Sequence, residues 1–164
     1  MKIAKKIAFR PKAQDGVVLP LFQGVDPAPL WRQFPLLEAA ARRRRLKGEI
    51  GEALACQALE DKRLFLLLGA GRAGAPADAR RAAARAMSLL RENRVRRAWL
   101  HFAAAAPGAD CLGAWVDALH LNHYRFDRYK KQRDRGVERV FLCGLGRSSL
   151  SGAEISGREE VLAE

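Results

Sequence analysis

The pattern Gly69-Ala-Gly71-Arg-Ala-Gly74 has the spacing of a ligand-binding loop. Between a strand and a helix, glycines at this spacing let a pyrophosphate approach the backbone of dinucleotide-binding proteins. Three features disfavour that function here. The pattern does not follow the first strand, Pro76 postpones the helix, and the next strand leads into an alanine run without the Asp or Glu that holds a ribose. We predict a structural turn between a strand and a helix, and keep a nucleotide loop at Gly69, Gly71 and Gly74 as the alternative.

A run of cations forms the densest basic segment of the chain: Arg42, Arg43, Arg44, Arg45 and Lys47. The whole sequence has 30 Lys and Arg residues against 18 Asp and Glu, a formal net charge of +12. Such an excess is typical of proteins that bind nucleic acid or another acidic partner. A solvated helix face, an Arg-rich composition from a GC-rich gene, or a missing acidic remainder would explain it equally well. Nucleic-acid contact through this run and the arginines between Arg80 and Arg97 is therefore an open hypothesis.

Histidine and cysteine are the remaining candidates for chemistry. His120 and His123 are three residues apart on a predicted helix and could both reach one metal ion, but Cys111 lies about two turns earlier, out of reach. We predict that His123 packs on the apolar face. The three cysteines form no Cys-x-x-Cys pair, which indicates buried free thiols. The sequence lacks a nucleophile elbow, a zincin helix, a Gly-Lys-Ser/Thr loop and an acidic two-metal cluster, so it contains no self-contained active site.

Alternating strands and helices must position these residues. Strand patterns occur at 3–9, 16–22, 63–68, 97–102 and 137–143, and helical patterns at 26–45 with a break at Pro35, at 77–92 and at 110–126. The segment 48–59 is ambiguous, because its composition favours a helix while Gly48 and Gly51 favour a turn before a strand. Asp26 and Asp110 are predicted N-caps, and 156–159 is a predicted capping box. The alternation predicts an α/β fold with helices on both faces of a sheet.

The length and composition predict one soluble domain over residues 1–164. A hydrophobic fraction of 49% excludes wholesale disorder. The longest apolar runs, such as 64–68, are too short to cross a bilayer, and no signal-peptide pattern follows the basic start. We therefore expect a cytoplasmic protein with no membrane partner.

The segment from Tyr124 to Lys130 is the most specific feature of the sequence. It resembles the signature that closes a helix in the N-terminal domain of the leucyl aminopeptidases, the two-metal cytosolic aminopeptidases. Its residues are Tyr124, Arg125, Phe126, Asp127, Arg128, Tyr129 and Lys130. An early Val-Val-Leu-Pro-Leu-Phe strand and the segment Lys47-Gly-Glu-Ile-Gly-Glu52 resemble the family in the same order. We expect Phe126, with Tyr124 or Tyr129, to anchor the helix end in the core. The chain departs from the family in having Gly69-Ala-Gly71 instead of Gly-Leu-Gly and Leu46 instead of Phe.

The resemblance implies a macro-domain-like fold, a mixed sheet flanked by helices, and a strand at 52–59. It covers only the non-catalytic part of the family, whose catalytic domain carries an Asn-Thr-Asp-Ala-Glu-Gly-Arg motif and two divalent metal ions, zinc or manganese. That motif is absent here, so we expect no catalytic residue and no metal ligand in this segment. In the family, the catalytic domain follows the domain that this chain resembles.

The resemblance also implies a role in assembly, access or partner binding. The implied partners are the chain's own catalytic domain, further copies in a homohexameric parent and, as in some bacterial members, DNA. A nucleic-acid-binding module using the basic surface, or a stand-alone macro-like domain that binds a nucleotide at the Gly69 loop, are the alternatives.

Overall fold

A mixed β-sheet with helices on both faces forms the centre of the molecule. The computed structural model describes residues 1–6, 8–127 and 136–146, with the backbone alone for 125–127. The strands are β1 Lys2–Lys5, β2 Gly16–Gln23, β3 Ala53–Gln57, β4 Leu64–Arg72, β5 Arg97–His101 and β6 Arg139–Cys143. The helices are α1 Ala28–Gln33, α2 Pro35–Arg43, α3 Pro76–Glu92 and α4 Ala109–Asp127.

The strands lie side by side in the order β1-β6-β5-β2-β4-β3. Every neighbouring pair is parallel except β3 and β4, which are antiparallel. The carboxyl ends of β1, β2, β4, β5 and β6 therefore share one edge of the sheet, and their amino ends share the opposite edge. From β2 the chain goes to the edge strand β3 and returns to β4, next to β2. It then crosses to β5 on the other side of β2, so the direction of winding changes between β2 and β5.

Two hydrophobic clusters, one on each face of the sheet, make up the core. On one face, α3 and α4 cover the inward side chains of the central strands. The buried members of this cluster include Val18, Leu66, Leu68, Ala83, Met87, Leu112 and Trp115. On the other face the shorter α1 and α2 cover a smaller cluster that includes Val17, Leu19, Leu67, Leu30, Leu37 and Ala41. Successive residues of one strand thus enter different clusters, as pleating requires, and the predicted α/β fold class is confirmed.

Within the segment 48–59, residues 53–57 form a strand, inside the range that the family resemblance implies. β3 pairs with β4 from Ala53↔Leu68 to Gln57↔Leu64 and forms an edge of the sheet. The helix that its composition favours is therefore wrong, because pairing with an apolar neighbouring strand outweighs local propensity.

The end of the glycine pattern forms the predicted turn between a strand and a helix, but its first two glycines belong to the strand. β4 continues through Gly69 and Gly71 to Arg72, and the turn is formed by residues 73 and 74. The Gly69 N–H donates to Glu52 O at 2.9 Å, and the Gly71 N–H donates to Gly48 O at 2.8 Å. The chain before β3 thus holds both glycines beside it, with Gly71 in the left-handed conformation at a φ of +68°.

Helix boundaries follow the sequence signals closely. The helical pattern breaks at Pro35, where α2 begins, as predicted. The N-cap of α1 is Pro27 and not the predicted Asp26, although Asp26 Oδ1 accepts the N–H of Ala28 at 3.0 Å. Asp110 is not an N-cap, because α4 begins at Ala109 and Asp110 lies in its first turn.

Two sequence predictions lie outside the described residues: the capping box at 156–159 and the end of the family signature at 128–130. Within the part of the chain that the structure describes, we find no helix with both the length and the apolar character needed to cross a membrane.

Candidate functional site

The carboxyl edge beside β2 is where an open α/β sheet forms a crevice, because the direction of winding changes there. A cavity of about 290 Å³ opens at the end of β2, between that strand and the chain around α1 and α2. It is lined by Leu21, Phe22, Gly24, Val25, Pro27, Trp31, Ala41, Arg42, Leu46 and Lys47. Its wall is apolar, and two members of the basic run, Arg42 and Lys47, supply its charge.

The five residues of the basic run are all exposed, at the end of α2 and just beyond it. The Arg42 guanidinium binds Glu38 one turn earlier, with Nη2 2.6 Å from Oε1. The other four side chains (Arg43, Arg44, Arg45 and Lys47) have no ion pair with any side chain that the structure describes. Cations at a helix C-terminus also interact favourably with the helix dipole. The run is therefore an accessible patch of positive charge, and nucleic-acid contact there stays a prediction.

A carboxylate of the chain itself occupies the backbone loop that follows the run. Glu52 Oε2 accepts the N–H groups of Lys47, Gly48 and Glu49 at 2.8, 2.8 and 3.0 Å. Successive amides that converge in this way are a common anion-binding arrangement. Because the Glu52 carboxylate accepts these three N–H groups, the segment 47–52 is a structural loop.

Two glycines of the Gly69 pattern are in close contact with other parts of the chain. A Cβ on Gly69 would lie 1.8 Å from Glu49 O, and one on Gly71 would lie 2.7 Å from Asp78 Oδ2. Gly74 has no atom within 4 Å of its Cβ position. These contacts give Gly69 and Gly71 a packing role, and the nucleotide loop remains a prediction.

Asp78, in the first turn of α3, is directed back toward the end of β4. Its Oδ2 accepts the Arg72 N–H at 3.0 Å and lies 3.3 Å from Arg72 Nε. The backbone hydrogen bond from Arg72, followed by the hydrogen bond to its side chain, lowers the pKa of this carboxyl group despite partial burial. An intramolecular carboxylate thus occupies the position in which a phosphate would meet the start of α3.

A polar trio at the carboxyl ends of β5 and β6 was missed by sequence reasoning. His101 and Cys143 are buried, and Gln33 of α1 is exposed. His101 Nε2 lies 2.7 Å from Gln33 Oε1, and His101 Nδ1 lies 3.2 Å from Cys143 Sγ. Phe9 stacks on the imidazole with ring centroids 4.5 Å apart. The signal available was a single histidine ending an apolar strand, which does not identify its partners.

The chemistry of this trio is that of uncharged groups. Burial raises the pKa of the Cys143 thiol to about 12, and burial lowers the pKa of His101 below its usual value. Both groups are therefore neutral at pH 7, and Cys143 lacks the depressed pKa of a cysteine nucleophile. Of the predicted buried thiols, Cys111 and Cys143 are buried, whereas Cys56 is half-buried on the edge strand β3.

Metal-ligating side chains do not converge in the described part of the chain. No group of three or more His, Cys, Asp or Glu residues there could hold a metal ion. His123 is half-buried, and its Nε2 lies 3.3 Å from the N-terminal nitrogen of Met1. The donor sets among the described residues therefore do not fit a site for two divalent ions.

The family signature begins inside the last turn of α4. Tyr124 is 65% exposed and does not anchor the helix end in the core, and α4 continues through Asp127. The side chains at 125–127 are not described, and Arg128, Tyr129 and Lys130 lie outside the described residues.

Comparison with protein families gives one match, to the model described as the cytosol aminopeptidase family, N-terminal domain, over residues 18–133. No curated protein matches the sequence.

Solved structures show the same fold. A mutant of tomato leucine aminopeptidase is 16% identical with a TM-score of 0.72, over 96% of this chain and 34% of that protein. The bottromycin maturation enzyme BotP, in complex with Mn, is 24% identical with a TM-score of 0.56, over 83% of this chain and 28% of that protein. The DarG macrodomain of Thermus aquaticus is 16% identical with a TM-score of 0.55, over 87% of this chain and 96% of that domain. The predicted macro-like fold is confirmed, and the chain spans about a third of the length of the aminopeptidase.

Proposed function

Since this chain belongs to the cytosol aminopeptidase family through that family's N-terminal domain, we propose that it serves as the non-catalytic domain of a two-metal aminopeptidase. The observation that carries the proposal is the family match over residues 18–133. The tomato aminopeptidase contains this fold as about a third of its length, which supports a modular role. In the parent protein, a separate catalytic domain would hold two divalent ions, zinc or manganese, and release N-terminal residues from peptides.

The proposed role of this domain is in assembly, access or partner binding. Its partners would be the catalytic domain and, in a homohexameric parent, further copies of the same protein. A cytoplasmic location is part of the proposal and is supported by the family's description as cytosolic. Because the side chains described here do not fit a two-metal site, no step of the hydrolysis is assigned to them.

We expect no aminopeptidase turnover from the purified chain. The measurement is release of the chromophore from leucine p-nitroanilide, with ZnCl₂ or MnCl₂ added, beside a full-length cytosolic aminopeptidase as the positive control. The physical reason is the lack of a converging ligand set among the described residues. Turnover that survives further purification and scales with the concentration of the chain would contradict the proposal.

A second candidate function, nucleic-acid binding, is favoured by the exposed basic run at the end of α2. Its unpaired cations, among them Arg43, Arg44 and Lys47, would neutralise phosphates and release counterions. Affinity for duplex DNA should therefore fall steeply with salt, and Arg43→Gln with Arg44→Gln should weaken binding at every salt concentration. Arg10→Gln with Lys62→Gln, two exposed cations outside both basic segments, is the control for net charge. If fluorescence anisotropy detects no binding at low salt, this function fails.

A further inference from the structure

A second cavity lies on the amino edge of the sheet, opposite the carboxyl-edge crevice. Its volume is about 390 Å³, within the usual range for small-molecule sites. It is lined by Lys12, Ala13, Gln14, Asp15, Arg94, Arg96, Arg97 and Glu138. These residues come from the three segments that enter the neighbouring strands β2, β5 and β6. We call this feature the amino-edge cavity.

The charge of the amino-edge cavity is unbalanced. Its lining has four cations against two carboxylates, a formal excess of two positive charges. One carboxylate, Glu138, binds Arg96, whose Nε lies 3.2 Å from Glu138 Oε1. The other, Asp15, is buried and accepts the N–H of Lys12 and the indole N–H of Trp99 at 2.8 and 3.0 Å. Both carboxylates are therefore already engaged.

The remaining cations are available to a ligand. The side chains of Lys12 and Arg94 are exposed and have no hydrogen bond or ion pair within the described residues. Arg97 Nε is buried and, in the described part of the chain, makes no hydrogen bond, although it lies 3.4 Å from Asp15 Oδ1. Because a third of the Arg97 side chain is exposed, an anionic ligand in the cavity can still reach it beside this ion pair.

The backbone around Arg94 forms its hydrogen bonds without using the Arg94 guanidinium. The Asn93 amide side chain donates to Leu89 O at 2.8 Å and the Arg94 N–H donates to Arg91 O at 2.9 Å, so the chain itself caps the end of α3. Arg94 has a φ of +56°, and Gln14, on the opposite loop of the cavity, has a φ of +65°. Such backbone is unfavourable for residues other than glycine.

We propose that the amino-edge cavity binds the phosphoryl group of a small molecule, with Lys12, Arg94 and Arg97 as its cationic ligands. A phosphate monoester carries a charge of about −1.5 to −2 at pH 7, which matches the excess of positive charge in the lining. Arginine forks suit the tetrahedral oxygens of phosphate better than point charges do. A duplex would need an extended basic surface, whereas this cavity lies between three short loops. The site is independent of the proposed aminopeptidase role and would stand if that role failed.

The test is calorimetric titration of the purified chain with orthophosphate, pyrophosphate and AMP, at low ionic strength and again at physiological salt. Arg94→Gln and Lys12→Gln should each weaken binding by roughly tenfold to a hundredfold, the usual effect of losing one charged hydrogen bond. Both side chains are exposed, so the variants should fold, which circular dichroism would verify.

Arg32→Gln is the matched control, because Arg32 is also an exposed arginine but lies in α1, which follows the carboxyl end of β2. It should leave the affinity unchanged. Tighter binding of AMP than of orthophosphate would identify a phosphate ester as the ligand, and equal binding would identify free phosphate; either result supports the site. The proposal is overturned if none of the three probes binds at low ionic strength, or if Arg32→Gln weakens binding as much as Arg94→Gln.

Discussion

Gly69→Ala should lower the free energy of unfolding by about 3 kcal/mol, near the upper end of the usual cost of overpacking. The added methyl group would lie 1.8 Å from the carbonyl oxygen of Glu49. Backbone cannot rotate aside as a side chain can, and here the Gly69 N–H is also bound to Glu52 O at 2.9 Å. The segment before β3 would have to move away from β4. For a chain of this length, the melting temperature should fall by roughly 6–12 °C.

Gly74→Ala is the matched control from the same sequence pattern. No atom lies within 4 Å of its Cβ position, so we expect a change of less than about 0.5 kcal/mol. Urea titration followed by circular dichroism would measure both variants. Equal stability of the two would show that the Gly69 contact does not constrain the fold.

The same glycines show how far the sequence can be interpreted. Apolar periodicity predicts the buried strand at 63–68, but glycine is depleted in strands, so the sequence alone ends this strand too early. β4 continues because the segment around Gly48 and Glu52 supplies hydrogen-bond partners for Gly69 and Gly71. That pairing is tertiary, and so is the pairing that makes 53–57 a strand. Neither pairing can be predicted from local propensity.

The candidate sites differ in the same way: the sequence shows one of them directly, and only the tertiary structure assembles the other. The basic run is contiguous, so the sequence displays it directly, and the structure places all of its members on the surface. The cations of the amino-edge cavity are scattered over segments that only the strand order brings together: Arg96 meets Glu138 across 42 residues, and Asp15 meets Trp99 across 84. Without the order β6-β5-β2, nothing in the sequence assigns these residues to one place.

Asp15→Ala should cost about 3 kcal/mol of unfolding free energy, the lower end of the range for breaking a buried ion pair. The carboxylate is 3% exposed and accepts the indole N–H of Trp99 at 3.0 Å. Its loss leaves that buried N–H without an acceptor and removes the only carboxylate near Arg97 Nε among the described ion pairs. We expect the lower end of this free-energy range because a third of the Arg97 side chain is exposed. Water can therefore partly replace the lost carboxylate.

A double-mutant cycle with Trp99→Phe separates the hydrogen bond from the charge. In the Trp99→Phe background no indole N–H remains to be orphaned, so Asp15→Ala should cost about 1 kcal/mol less than in the wild type. Asp15→Asn keeps an acceptor and should lie between wild type and Asp15→Ala. Asp110→Ala, an exposed carboxylate in the first turn of α4, should cost less than about 1 kcal/mol.

Strict additivity in this cycle would show that Asp15 does not act through the indole of Trp99. A coupling of the expected size would instead show that one buried carboxylate joins the loop before β2 to the strand β5, since the same oxygen also accepts the Lys12 N–H at 2.8 Å. The position of Lys12 at the amino-edge cavity depends on that bond. Asp15→Ala is therefore a test of stability alone, because it frees Lys12 from that bond and at the same time removes a negative charge from the lining of the cavity.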